Sequence, residues 1–126
     1  MKIISGEFPS YKVLENEHIF AFLSIDPIQP GHTLVIPKKE IDHIMDVEDP
    51  YYQAIFAAAR PISRAIRQAT GCTRVGMAVQ GFEVHHAHLH LIPMWGTEDF
   101  LFKNAKRRPE AEMKAVLEKI LAKLKL

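Results

Sequence analysis

Cysteine is nearly absent: Cys72 stands alone among 126 residues, which excludes an intrachain disulfide and any cysteine-based zinc cluster. Such usage fits a reducing compartment. Long apolar runs are missing as well, since no stretch approaches the roughly 18 residues that a membrane span needs. Near the start, Glu7 and Pro9 arrive before an apolar stretch could develop, so the segment does not read as a secretory signal. These absences predict a cytoplasmic protein with no membrane partner. An excess of charge is lacking too, with Lys+Arg 16 against Asp+Glu 15 and a formal net charge of +1. A nucleic-acid binder, or a protein held on anionic lipid, would show a basic excess over the domain. Whatever this chain binds is not gathered by bulk charge, and the local cluster Lys103, Lys106, Arg107 and Arg108 reads as a solvated loop.

Hydrophobic residues make up 48% of the chain. A chain this long buries roughly two-thirds of its unfolded surface, enough for a core without staples. A single domain over residues 1–126 follows. Residues 11–15 and 19–25 are rich in β-branched and aromatic side chains on either side of the polar turn Asn16-Glu17-His18, which predicts a hairpin. The loop Asp26-Pro27-Ile28-Gln29-Pro30-Gly31 separates it from a third strand at 32–36. Asp49-Pro50 reads as the N-cap and first-turn proline of a helix that carries Ile55, Ala59, Ile62 and Ile66 on one stripe and ends at Gly71. Pro61 inside that stripe predicts a kink or a split. Cys72, just beyond, reads as a packing residue. Strands are expected again at 74–80 and 84–92. A final helix is expected at about 110–124, with Met113, Val116, Leu117, Ile120, Leu121 and Leu124 at spacings of three and four. The order strands, helix, strands, helix predicts an α+β domain with the helices against an antiparallel sheet.

Histidine is what the chain has in plenty, with seven, and three of them alternate in His86-Ala87-His88-Leu89-His90-Leu91. On a strand, His86, His88 and His90 line one face while Ala87, Leu89 and Leu91 pack on the other. From a rise of ~3.3 Å per residue, neighbouring imidazoles stand roughly 7 Å apart and the row spans roughly 13 Å. Zn–N bonds of about 2 Å cannot reach all three from one ion, so metal binding is the poorest reading of the row. A neutral imidazole is a nucleophile near pH 7 and its neighbours can hydrogen-bond an anionic substrate, which suits acyl or phosphoryl chemistry. Two imidazolium charges at that spacing repel by about 2 kcal/mol at an effective dielectric of 20, enough to lower one pKa by more than a unit. At least one ring is therefore expected to stay unprotonated. His85 points to the opposite face, and His18 and His43 fall in a turn and a loop; these three read as non-catalytic.

The segment His86-Ala87-His88-Leu89-His90-Leu91-Ile92-Pro93 resembles the signature of the histidine triad (HIT) superfamily of nucleotide hydrolases and transferases. Ala21-Phe22-Leu23-Ser24-Ile25, Pro30-Gly31-His32-Thr33-Leu34-Val35-Ile36-Pro37-Lys38-Lys39 and Glu7-Phe8-Pro9 extend the resemblance, which spans residues 3–93. Within the superfamily the chain is most similar to the Hint-like branch. The resemblance implies an α+β fold with a HIT-like antiparallel sheet of about five strands and two helices, and two such sheets joined across a homodimer. It implies a hydrolase or nucleotidyl transferase that cleaves purine nucleoside phosphoramidates, or related nucleotide conjugates, at the α-phosphate. The alternatives are a dinucleoside polyphosphate hydrolase of the Fhit type and a nucleotide-binding module with little turnover. No cofactor and no metal is implied, and the Cys-x-x-Cys of some zinc-binding relatives is missing.

By the same resemblance His88 is the nucleophile and forms a nucleotidyl-histidine intermediate that water then hydrolyses. The backbone carbonyl of His86 would accept the Nδ1 proton of His88, His90 would donate to phosphate oxygens, and His32 would buttress the ring of His86. Ile3, Phe22 and Ile25 match positions that hold the base. The acidic residue that binds the ribose in relatives is replaced here by Ser24, with Asp26 two positions on and, by alternation, on the same face. A glutamine and a serine-like residue before the triad are replaced by Phe82 and Glu83, and Gln80 is the polar side chain left to contact the nucleotide. His85 stands where a bacterial subgroup carries proline. Trp95 fits either a dimer interface or the leaving-group pocket.

Overall fold

The computed structural model describes residues 11–80 and 86–126. Five strands, β1 (Lys12–Glu15), β2 (Ile19–Leu23), β3 (Thr33–Pro37), β4 (Arg74–Ala78) and β5 (Leu89–Met94), form one antiparallel sheet in the order β1-β2-β3-β5-β4. Two helices, α1 (Tyr51–Thr70) and α2 (Glu110–Lys123), accompany it, and short 3-10 turns lie at Ile44–Asp46, Thr97–Phe100 and Phe102–Asn104. This is the α+β architecture that the sequence predicts. No helix among the described residues is long and apolar enough to cross a membrane.

Strand alternation divides the sheet into two faces with different work. Ala21, Val35 and Leu89 lie side by side in register and join the main core with Ile55, Ala59, Ile62 and Ile66 of α1. The opposite face carries the cross-strand row Phe22, Leu34, His90 and Ala78, and a smaller apolar cluster of Phe20, Phe22 and Ile36. One side of the sheet therefore holds the fold together, and the other presents a histidine flanked by apolar neighbours.

Helix α1 runs unbroken through Pro61 over 20 residues, so the expected split does not occur. Proline inside a helix costs about 3 kcal/mol. Ile55, Ile62 and Ile66 are all fully buried, and each contributes roughly 1.5–3 kcal/mol by leaving water, which outweighs that cost. The helix ends at Gly71 as expected, with φ of 73° and its N–H donating to the Arg67 carbonyl at 2.9 Å. At the other end Pro50, not Asp49, takes the capping position, while the Asp49 carboxylate accepts the Gln53 N–H at 3.3 Å. Cys72 is buried in the main core. In α2, Met113, Val116 and Ile120 are buried but Leu121 is exposed, so the packed stripe is narrower than the spacing predicts.

The largest difference from the sequence reading is at the triad itself. The strand expected over 84–92 is Leu89–Met94, so His86, Ala87 and His88 stand outside the ladder. The reason is a tertiary hydrogen bond: Ala87 N–H donates to the Ile41 carbonyl at 2.7 Å, drawing this stretch toward the chain beyond β3. At the far end of β5, Gly76 faces Ile92 across the β4 pairing. A Cβ there would meet the Met94 sulfur at 2.5 Å and the Phe100 ring at 2.8 Å, so the bare glycine lets the Thr97–Phe100 turn lie down on the sheet.

Candidate active site

His32 comes from the residue before β3, His86 and His88 from the approach to β5, and His90 from within β5. Their exposures are 2%, 3%, 5% and 6%, so these are dry rings. They are also gathered rather than strung out. The centroids of His88 and His90 are 4.8 Å apart, against the roughly 7 Å expected of neighbours along a strand, and His32, from beside the adjoining strand, brings its ring within 5.1 Å of His90.

Hydrogen bonds fix which nitrogen of each ring carries its proton. Ile28 N–H donates to His32 Nδ1 at 3.1 Å, so that nitrogen is bare and neutral His32 is protonated on Nε2. His32 Nε2 lies 2.9 Å from His90 Nδ1 and donates to it. His90 is therefore protonated on Nε2, a buried atom with no partner among the described residues. The resemblance places His32 against His86; the structure places it against His90 instead. His86 donates from Nε2 to the Pro37 carbonyl at 2.9 Å. His88 Nδ1 donates to the His86 carbonyl at 2.7 Å, which leaves its Nε2 lone pair bare. The site thus offers a bare imidazole nitrogen on His88 beside an imidazole N–H donor on His90, on rings in edge contact, while His86 Nδ1 is buried without a partner among the described residues.

Burial pushes His32 down to about 4, and the nearby His88 ring adds to the effect. Burial likewise pushes His90 down to about 3, with smaller contributions from His32 and His88. Rings are expected to stay unprotonated on either account, but desolvation rather than mutual repulsion is the larger cause. The spacing argument against a metal also changes its basis, because the rings do not lie in line. Four ring nitrogens are instead committed to one another or to backbone carbonyls. Among the described residues no group of three or more His, Cys, Asp or Glu is placed to hold a metal ion.

Phe22 is buried on the same face as His90, two strands away through Leu34. Ile25 is exposed, and Ser24 is half-buried with its hydroxyl accepting the Asp26 N–H at 3.3 Å. Alternation does not carry Asp26 onto the Ser24 face, because β2 ends at Leu23 and the chain bends. The Asp26 carboxylate instead takes the Arg107 Nε at 3.0 Å. Gln80 is half-buried just past β4. Ile3, Phe82, Glu83 and His85 lie outside the described residues. Arg108 lies 3.7 Å from Glu112, so two members of the basic cluster are engaged with carboxylates.

Two contributors escape the sequence reading. One is the backbone N–H of Ile28, invisible in any motif because every residue but proline carries it. The other is Phe102, whose ring stands edge-on to His90 with centroids 4.8 Å apart and an interplanar angle of 76°. Its only signal in the sequence is an aromatic residue soon after the triad.

Residues 5–96 match the HIT domain family. The chain is 41% identical over 103 residues to Protein hit of Bacillus subtilis, covering 78% of this chain and 71% of that one. It is 34% identical over 93 residues to the adenosine 5'-monophosphoramidase HNT1 of Saccharomyces cerevisiae, covering 73% of this chain and 59% of the yeast protein. Among solved structures, a Hit-like protein involved in cell-cycle regulation from Bartonella henselae superposes with a TM-score of 0.86 at 30% identity, covering 98% of this chain and 92% of that one.

Proposed function

The chain belongs to the HIT family, whose members bind and process nucleotides, and from that premise we propose that it hydrolyses nucleotide conjugates at the α-phosphate through a nucleotidylated His88. The observation that carries the reading is the 2.7 Å bond from His88 Nδ1 to the His86 carbonyl, which leaves Nε2 with a bare lone pair for attack. In the first step the Nε2–P bond forms as the bond from phosphorus to the leaving group breaks. In the second, water cleaves Nε2–P and restores the ring, so one hard displacement becomes two easier ones. The Nε2–H of His90 is the donor that meets the phosphoryl oxygens as charge develops on them. Phe22 supplies the apolar surface for the base, and Ser24 in place of an acidic residue gives weaker ribose binding.

The name of the yeast relative supports phosphoramidates as the first substrate class to try. The test is turnover of an adenosine phosphoramidate beside diadenosine polyphosphates, with AMP binding measured in parallel. Release of AMP from the phosphoramidate, undiminished by a chelator, is the expected result. Binding of AMP without turnover of any of these would leave only a nucleotide-binding module.

A homodimer belongs to the same proposal. Strand β4 is one of the two edges of the sheet, and Met77 and Val79 on and beside it are about half exposed. Pairing two β4 edges would cover them and join two sheets. Sedimentation at micromolar concentration should give twice the chain mass of 14.4 kDa; a single-chain mass would remove this part of the reading.

A further inference from the structure

Phe102 belongs to neither apolar core cluster, although it is an aromatic residue and half-buried. Its ring contacts are with His90, with His32 at a centroid distance of 6.3 Å, and with Phe100 at 6.4 Å. The segment that carries it is tied to the loop before His32 at three points. Gln29 Nε2 donates to Asp99 Oδ1 at 2.6 Å, Lys106 N–H donates to the Pro27 carbonyl at 3.2 Å, and Arg107 Nε donates to Asp26. Asp99 is fixed in turn, because its Oδ2 accepts the Trp95 and Gly96 N–H groups at 2.7 and 3.2 Å. The loop that supplies the Ile28 N–H and the segment that supplies the Phe102 ring are therefore joined at three points on either side of His32 and His90.

We propose that Phe102 is a positioning residue for His90: its ring edge, held by those ties, keeps water from the His90 ring and holds it in the Nε2–H form that donates to substrate phosphate. The donor half of this statement rests on the hydrolase reading above; the ring-state half does not. The titratable groups that face His90 among the described residues are His32 and His88, while β3 and β4 place Leu34 and Ala78 beside it and the 102–104 turn places Phe102. Protonation of His90 on Nδ1 would set that N–H against the His32 Nε2–H and break the relay. Excluding water opposes it, since burial is the larger of the influences that keep this ring neutral.

The test is long-range ¹H–¹⁵N correlation of the imidazole rings in the full chain, between pH 5 and pH 8, for wild type, Phe102→Ala and Phe102→Leu. Wild-type His90 should show a bare Nδ1 and a protonated Nε2 throughout. In Phe102→Ala, which admits water, its protonation midpoint should rise from about 3 to about 6, close to the ordinary 6.5 and inside that window. Phe102→Leu, which still excludes water, should retain the wild-type pattern. Where the wild type turns over a phosphoramidate, Phe102→Ala should lose kcat at pH 5.5 relative to pH 7.5 several-fold more than wild type does, with KM little changed. His90 resonances of Phe102→Ala that superpose on wild type at every pH would overturn the proposal. Absence of turnover in the wild type, with the resonances still shifted by Phe102→Ala, would defeat the hydrolase reading alone and uphold control of the ring by Phe102.

Discussion

Replacing His88 by alanine should reduce turnover by a factor on the order of 10⁴ or more, because it removes the nucleophile rather than a helper. In free-energy terms that is about 5.5 kcal/mol of lost transition-state stabilisation at 1.36 kcal/mol per tenfold. The wild type incubated with labelled substrate and quenched in alkaline denaturant should carry label on one histidine, and His88→Ala should carry none. His90→Ala should fall less steeply, by about 10²–10³, the usual cost of deleting one donor to developing anionic charge. This ranking follows from the hydrogen bonds: His88 holds the bare nitrogen and His90 the N–H. Among the described residues His88 makes one hydrogen bond through its side chain, to a backbone carbonyl, so the variant should keep its fold, which circular dichroism will confirm. A His88→Ala protein that keeps more than about one hundredth of wild-type kcat would move the nucleophile elsewhere.

The second large effect is on stability, and it appears on acidification. Folded-state values of about 4 for His32 and about 3 for His90 lie below the ordinary value of 6.5. Below pH 6.5 the unfolded chain takes up protons at these rings and the folded chain does not, so acid favours unfolding. Their neutral burial is without penalty above pH 6.5 and is penalised progressively as pH falls toward 4 and then 3. Each ring contributes up to about 1.36 kcal/mol per pH unit, so the pair should cost roughly 4 kcal/mol between pH 6.5 and pH 4.5. That is a large part of the 5–15 kcal/mol a typical domain has in hand. Urea midpoints measured across the window will show the slope, and His90→Asn should flatten it by about half. An equal slope in that variant would assign the acid sensitivity to other groups. Carboxylates enter only at the acid end of the window, where Glu15, held low first by its hydrogen bond with Lys38, starts to lose its contribution near its ordinary value of 4.5. The Asp99 carboxyl is held low by the Trp95 N–H first and then by Gln29, so its contribution is present above the ordinary value of 3.8 and is lost only below it.

Much of this could be read from the chain, and the parts that could not share a cause. Alternation in residues 86–90 correctly puts His90 on the face opposite Leu89 and Leu91, because those three residues do lie in a strand. It misjudges the spacing of His88 and His90, because a hydrogen bond from Ala87 to Ile41, more than forty positions away, holds the stretch before His90 off the ladder. Pro61 illustrates the same competition inside α1, where local chemistry predicts a break and burial of three isoleucines overrides it. Asp26 is removed from its expected face by the end of β2 and engaged by Arg107, a partner that no local pattern announces. The resemblance to the HIT superfamily identifies His32 as a member of the site, but which ring it touches depends on how the 26–31 loop seats against β5, and His90 is the answer.

The relay begins at Ile28, and what it begins with matters. A peptide N–H, unlike a side chain, neither gains nor loses a proton in the range where proteins stay folded, nor does it turn round to accept. The sequence of donors from Ile28 to His32 to His90 is therefore a one-way street whose direction is set by the main chain. Exchanging the Ile28 side chain leaves that direction untouched. Among single substitutions at this position, only proline would remove the first sign-post, by deleting the N–H itself.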